Sequence, residues 1–189
     1  CAHTADPLQR LRLLNHFFFR DMGFGGNVNN YHDPDNSYLH VLLRTRRAIP
    51  ITLSVLWLEL AQGLGLDARG VNFPGHFMLK VSLPSGQVVI DPFTGQSLGR
   101  EELSERLAPY KLRNGLVDDF DVPMGLYLQA AQPREILTRM LRNLKELHRT
   151  QEDWLRLIAV QDRLIVLLPD AWVEYRDRGL AWAELGDNR

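Results

Sequence analysis

Residues 73–92 of the chain are FPGHFMLKVSLPSGQVVIDP, in which two strand-like runs flank a turn. In the first run, apolar residues occupy every second position: Phe77, Leu79, Val81 and Leu83. This alternation is typical of a β-strand with one buried face. A Pro-Ser-Gly turn follows, and Val88 to Ile90 forms the second apolar run. The segment therefore predicts an antiparallel β-hairpin.

Two chemically active side chains lie at the open end of this predicted hairpin. His76 precedes the first strand and Asp91 follows the second, so antiparallel pairing brings them towards one end of the sheet, although the sequence does not fix the register. By strand parity His76 shares the side of Met78 and Lys80, which we expect to face a cleft or solvent. A carboxylate beside an imidazole selects its tautomer and stabilises its charged form, as in the base and orienter of a nucleophilic triad.

A predicted central helix comes before the hairpin. Pro50 suits the first helical position, and the following residues are apolar on almost every side, which indicates a buried helix. Gly63 and Gly65 end it. The turn at residues 47–49 leads into the N-terminus of this helix, where free N–H groups favour a thiolate or an oxyanion.

The other elements of the first part are also predicted from periodicity and turn residues. We expect a helix at 8–22, an ordered Asn- and Asp-rich loop at 27–37, a second helix at 38–45 and a strand at 68–73. Helices followed by antiparallel strands predict an α+β fold rather than alternating βαβ units.

The C-terminal part is predicted to be helical. After a short helix from Arg100 to Leu107, residues 108–132 are expected to be irregular, with an acidic stretch at 118–121. Three helices then follow, at 134–149, 153–168 and 171–185. The last two match, in spacing, consecutive helices of tetratricopeptide units. Because such repeats bury their faces against neighbours, we expect this tail to dock on the first domain, on further chain or on a partner.

The ordered motifs IPITLS (residues 49–54), FPGHF (73–77) and DPFTG (91–95) resemble the transglutaminase-like (papain-like) core. They are most similar to its bacterial SirB-like branch, whose members carry a tetratricopeptide-like tail. The resemblance covers nearly the whole chain and implies helices packed on an antiparallel sheet over residues 1–115. A connector at 116–132 and a tetratricopeptide-like helical region at 133–189 would complete the chain.

The resemblance also implies which residues form the site. The transglutaminase-like core uses a Cys-His-Asp triad, in which His76 and Asp91 take the histidine and aspartate positions. The helix-start position that normally holds the cysteine falls at or near Pro50, which has no nucleophile. Cys1 is the single cysteine of the chain, and it precedes the first helix, where it is poorly placed for attack.

Two functional hypotheses remain open. In the first, a degenerate domain binds a peptide, an amide-bearing ligand or a regulatory partner at the His76 cleft, while the helical tail adds a surface. In the second, an amide or ester hydrolase or acyltransferase uses His76 and Asp91 with Ser54, Thr52 or an activated water as nucleophile. A hydroxyl in the first turns of a helix more commonly bonds to local backbone.

Five residues are expected to line the mouth of the cleft: Tyr31, Asn36, Tyr38, Pro50 and Asn72. His32 and His40 lie near Asp33 and Asp35, but such residues in a polar loop are more commonly turn formers than metal ligands. We therefore predict no metal and no cofactor.

Composition limits the classes of partner. The net charge is −1, which gives no general attraction to nucleic acid or to an anionic membrane. No apolar run approaches the roughly 20 residues that span a bilayer. A single cysteine excludes an internal disulfide and suits a reducing cytoplasm. Arg139, Arg142 and Lys145 recur on a predicted helix, where we expect a solvated face. The sequence therefore predicts a cytoplasmic protein with a protein or peptide partner, and it leaves the oligomeric state open.

Overall fold

The computed structural model describes residues 6–116 and 122–186 of the chain. Helix α1 (Pro7–Asn15) continues into a π-helical turn at His16–Asp21, so the predicted first helix is present but changes its winding. Its apolar face, Leu11, Leu14 and Phe18, is buried in the main core. Cys1 and the acidic stretch at 118–121 lie outside the described residues.

Short elements connect this helix to the central one. Strand β1 (Gly25–Gly26) pairs in parallel with β2 (Arg47–Ala48), and a 3₁₀ turn at Pro34–Ser37 leads into α2 (Leu39–Thr45). The sequence predicted α2 but not the β1–β2 pair, because two-residue strands carry no detectable periodicity.

Helix α3 (Pro50–Gly63) is the central buried helix that the sequence predicted. Proline fits its first position because the first N–H groups of a helix have no intrahelical partner. Leu53, Trp57 and Ala61 are completely buried in the main core. The indole Nε1 of Trp57 also donates to Asn15 Oδ1 at 3.1 Å, which ties α3 to α1.

The sheet has four antiparallel strands in sequence order: β3 (Asp67–Val71), β4 (Met78–Leu83), β5 (Gly86–Ile90) and β6 (Ser97–Leu98). The predicted hairpin is confirmed, with Leu79 opposite Ile90 and Leu83 opposite Gly86. One face of the sheet, with Leu79, Val81 and Ile90, packs on α3 in the main core.

The other face of the sheet is covered, which corrects the expectation that the Met78 and Lys80 side of β4 faces a cleft or solvent. Met78 is buried in a second core with Leu103 and Leu107 of α4 (Arg100–Arg113). Lys80 Nζ donates to the backbone oxygen of Leu128 at 2.6 Å. Strand parity did not identify this cover because it is supplied by chain that follows the hairpin.

The region expected to be irregular is partly helical. Helix α4 does not end at Leu107 but continues through Pro109 to Arg113, where Tyr110 also packs on the second core. A single-turn helix, α5 (Met124–Tyr127), follows. The N–H of Ala131 donates to Gly70 O at 2.8 Å, so the chain lies along the open edge of β3.

The helical region contains α6 (Pro133–Thr150), α7 (Trp154–Leu167) and α8 (Trp172–Glu184), close to the three predicted helices. Of the three docking possibilities for this tail, the structure shows contact with the first domain. Ile136 and Met140 of α6 pack on a cluster formed by Ile49, Ile51 and Phe77. Within the described ranges, no helix combines the length and the apolar character that crossing a bilayer requires.

Candidate functional site

The hairpin brings His76 and Asp91 together. Nε2 of His76 lies 2.9 Å from Oδ1 of Asp91. A tight turn places the histidine: its N–H donates to Phe73 O at 3.0 Å, and Gly75 takes a φ of +74°, which glycine adopts without strain. The two side chains therefore lie in hydrogen-bond contact, as the predicted hairpin implied.

Asp91 is held by more than the histidine. The side chain is 3% exposed, and its Oδ1 also accepts the N–H of Phe93 at 2.9 Å. Its Oδ2 accepts from Nη2 of Arg106 at 2.8 Å. We refer to His76, Asp91 and Arg106 as the His–Asp–Arg cluster. The three hydrogen bonds compensate the carboxylate for the water that it loses on burial.

The environment lowers the pKa of Asp91 from 3.8 to about 2. Burial by itself raises this pKa, and it is the largest contribution. The hydrogen bond and charge of His76, the N–H of Phe93 and the hydrogen bond from Arg106 together outweigh burial. Asp91 is therefore ionised at neutral pH and can orient the imidazole.

Arg106 is the residue that the sequence did not identify. It lies on α4 between the buried Leu103 and Leu107, and its guanidinium reaches Asp91 from the next element along the chain. One feature of the sequence could have pointed to such a residue: a carboxylate at the end of a buried strand, such as Asp91, needs a counter-charge. Arg106 was one of several arginines in that helix and its surroundings, and its contact with Asp91 required the packing of α4 on the sheet.

The imidazole has one edge to spare. Nε2 faces Asp91, and no hydrogen bond to Nδ1 is found among the described residues. The side chain of His76 is 24% exposed. With Nε2–H donated to the carboxylate, Nδ1 is the atom that can accept a proton or a hydrogen bond from a ligand.

The two candidate hydroxyl nucleophiles point into the protein. Ser54 is fully buried, and its Oγ donates to Pro50 O at 2.9 Å. Thr52 is also fully buried, and its Oγ1 has no hydrogen-bond partner in the described part of the chain. Neither hydroxyl is exposed to a substrate that arrives from solvent, so these positions argue against the hydroxyl-nucleophile alternative.

Three of the five expected cleft residues stabilise the framework instead of forming a shared cleft. Asn36 is buried, donates to the backbone oxygens of Asn30 and Tyr31, and offers its own backbone oxygen to the N–H of Ile49. Pro50 is buried at the start of α3. Tyr38 packs beneath the helical region, against a cluster formed by Leu144, Val160 and Leu164.

The remaining two lie apart from each other. Tyr31 is exposed, and its ring is 6.1 Å from that of Phe93, two residues after Asp91. Asn72 accepts from Nη1 of Arg139 on α6 at 3.1 Å. The expected cleft is thus not a single cleft, because the loop and the helical region divide these residues between different contacts.

A cavity next to the Asp91 loop was not predicted. It has a volume of about 470 Å³ and is lined by Gly23–Asn29, Arg47, Phe93 and Thr94 among others. A Cβ on Gly26 would overlap the ring of Phe93 at 2.1 Å, so the glycine permits this close approach. In the described residues no three His, Cys, Asp or Glu side chains are grouped so that they could hold a metal ion.

Comparison with known proteins agrees with these features. A family model described as the transglutaminase-like superfamily matches residues 1–142, and one described as a tetratricopeptide repeat matches residues 144–189. No solved structure is significantly similar to the chain.

Several curated bacterial proteins are related, and each carries the words UPF0162 protein in its name. One from Xylella fastidiosa strain 9a5c is 39% identical over 178 residues, which cover 94% of this chain and 62% of the relative. One from Pseudomonas aeruginosa is 33% identical over 80% of this chain and 53% of the relative. YchA of Escherichia coli K12 is 27% identical over 95% and 65%. The chain thus spans less than two thirds of these relatives, and it belongs to the transglutaminase-like superfamily.

Proposed function

We propose that this chain is a non-catalytic, degenerate transglutaminase-like module that binds a protein or peptide partner. The observation that carries the proposal is the His–Asp–Arg cluster, in which Nε2 of His76 is 2.9 Å from Asp91 while the helix-start position holds Pro50. The cluster keeps an oriented, partly exposed imidazole, and the nearby hydroxyls of Ser54 and Thr52 are buried.

The chemistry of the cluster suits recognition of a peptide group. The Nδ1 edge of His76 can accept the N–H of an amide, and the buried carboxylate fixes the ring so that little side-chain freedom is lost on binding. The helical region supports the same function, because tetratricopeptide repeats generally mediate protein–protein interaction.

Quantitative co-purification tests this proposal. The wild-type chain, His76→Ala and the control His32→Ala would each be used as bait, and captured proteins compared by mass spectrometry. His32 is exposed in the loop and is not one of the hydrogen-bond partners of the Asp91 side chain, so its replacement controls for loss of a histidine. We expect His76→Ala to lose specific partners that His32→Ala retains. Equal capture by all three baits would contradict a role for this site.

An amide or ester hydrolase that uses His76 to activate a water is the second candidate. The contact between His76 and Asp91 favours this candidate, because a catalytic triad pairs its base with an orienting carboxylate in the same way. Hydrolysis of p-nitrophenyl acetate and of a peptide anilide would distinguish the two. Turnover above buffer that disappears in His76→Ala would support the enzyme and contradict the non-catalytic module.

The proposal involves no cofactor and no nucleic acid, and it assigns the protein to the cytoplasm, where a lone cysteine stays reduced. Fractionation of cells that produce the protein would test this location. Recovery in the periplasmic fraction would contradict it.

A further inference from the structure

A second cavity, of about 390 Å³, lies at the seam between the first domain and the helical region. Asn72, which follows β3, forms one wall, and α6 supplies most of the other. None of the His–Asp–Arg cluster lines it. The cavity falls within the range of about 300 to 1,000 Å³ that is typical of small-molecule sites.

The wall formed by α6 is strongly basic. Arg134, Thr138 and Arg142 are spaced four residues apart and therefore lie on one side of the helix, with Arg139 beside them. Glu135 is the acidic residue of the wall, and its Oε2 already accepts the N–H of Gln132 at 2.6 Å as a helix cap. The lining thus has three guanidinium groups and one carboxylate that is engaged elsewhere.

The guanidinium groups are incompletely paired. Arg134 is exposed, and its side chain has no hydrogen bond or ion pair within residues 6–116 and 122–186. Nε of Arg142 is 3.9 Å from Glu174, which is too long for a hydrogen bond. Arg139 donates to Asn72 and lies over the ring of Phe77 at 5.6 Å. Burial lowers the pKa of Arg139, and the interaction with Tyr31 raises it by less. A bound anion would therefore offset the desolvation of this guanidinium group.

Thr138 supplies an independent indication of a ligand. It is 7% exposed, and its Oγ1 has no hydrogen-bond partner in the part of the chain that the structure describes. A helical threonine commonly donates to the carbonyl four residues earlier, and this one does not. A buried hydroxyl without a partner is costly unless a bound group satisfies it.

We propose that this cavity binds a small organic anion that carries a phosphate or carboxylate group. Guanidinium groups bind both kinds of oxyanion through paired N–H donors. In this site Thr138 would donate to one oxygen of the anion, and Arg134 and Arg142 would donate to the others. One occupant would then account for the cluster of incompletely paired arginines, the hydroxyl without a partner and the volume of the cavity.

Isothermal titration calorimetry with inorganic phosphate and with citrate, at constant ionic strength set by sodium chloride, tests the site. We expect the wild-type chain to bind at least one of the two, and the stronger one identifies the preferred group. Loss of one charged hydrogen bond weakens binding by about tenfold or more. Arg134→Gln, Arg142→Gln and Thr138→Val should each show this loss.

Two controls keep the result specific. Arg113→Gln removes an exposed arginine at the end of α4 and should bind like the wild type. His76→Ala should also bind normally, which separates this site from the proposed function. Circular dichroism melts would exclude variants that fail to fold. If an arginine variant does not fold, Thr138→Val still tests the site, because this substitution changes no charge. No binding of either anion by the wild type, or equal binding by all variants, would overturn the proposal.

Discussion

The hairpin and the helical region each bury a titratable side chain, Asp91 and His148, and the surroundings of the two are opposite. Asp91 has hydrogen bonds to His76, Phe93 and Arg106. His148 of α6 is 1% exposed, and neither of its ring nitrogens has a hydrogen-bond partner in the described residues. Gln161 of α7 is also buried, and its amide oxygen and nitrogen likewise have no hydrogen-bond partner in those residues. Burial is therefore not in itself a sign of function: Asp91 is held by aligned partners and Thr138 lines a cavity, whereas His148 and Gln161 line neither cavity described above.

Removal of the carboxylate should have the largest effect on stability. Asp91→Ala leaves His76 and Arg106 without their partner, and because both are partly exposed we expect a loss of about 2–3 kcal/mol, below that for a fully buried ion pair. Urea unfolding would measure the loss. Asp162→Ala is a matched control, because Asp162 is 54% exposed in its pair with Arg178 and should cost at most about 1 kcal/mol. Similar losses in the two variants would remove the contrast.

Acid should weaken the fold through Asp91. Its folded pKa of about 2 lies below the ordinary 3.8, so its contribution is fully present above 3.8 and is lost as pH falls through about 2. The shift corresponds to about 2 kcal/mol. Unfolding free energies from about pH 5 to about pH 2 should fall more steeply in the wild type than in Asp91→Asn. Parallel curves would show that the carboxyl is not held in this way.

Replacement of His148 should instead stabilise the protein. His148→Leu removes two unsatisfied ring nitrogens and keeps an apolar side chain of similar size, so we expect a gain of about 1–2 kcal/mol in unfolding free energy. Gln9→Leu, at an exposed position of α1, controls for added apolar surface. A loss of stability in His148→Leu would mean that the imidazole has a partner.

The pH dependence of the same variant sharpens this result. The pKa of His148 is lowered from 6.5, and burial is the largest cause. The charge of Arg156 also lowers this pKa, whereas the charge of Asp153 raises it. The unfolded chain therefore takes up the proton first, and stability falls as pH drops below 6.5. Wild-type unfolding free energy should decrease over this interval, and His148→Leu should lack that decrease.

The smallest effect is expected at Ser54. Ser54→Ala removes one hydrogen bond to Pro50 O and should cost about 1 kcal/mol or less. Because the hydroxyl is buried, partner capture should be unchanged. A loss of capture or of any hydrolytic activity, with the fold intact, would restore Ser54 as a functional residue.

Local patterns predicted much of this structure. Pro50 at a helix start, the alternation from Phe77 to Leu83 and the turn at residues 84–86 were sufficient to predict α3 and the hairpin. The hairpin in turn implied that His76 and Asp91 lie close together. Each of these features depends on neighbours in sequence.

The contacts that were missed depend on chain that returns from further away. Arg106 reaches Asp91 only because α4 packs on the sheet, and the same packing covers Met78. Tyr38 was expected at the cleft but lies beneath α6 and α7, since the docking of the helical region is not encoded in its local periodicity. The division into residues 1–115, 116–132 and 133–189 stays a prediction.

The tautomer of His76 is the most direct measure of whether Asp91 orients the imidazole. Nitrogen NMR of histidine-labelled protein at about pH 8, where an ordinary histidine is neutral, would report which ring nitrogen carries the proton. We expect a proton on Nε2, hydrogen-bonded to Asp91, with Nδ1 unprotonated, and loss of this preference in Asp91→Ala. A proton on Nδ1 in the wild type, or a spectrum unchanged by Asp91→Ala, would contradict this expectation.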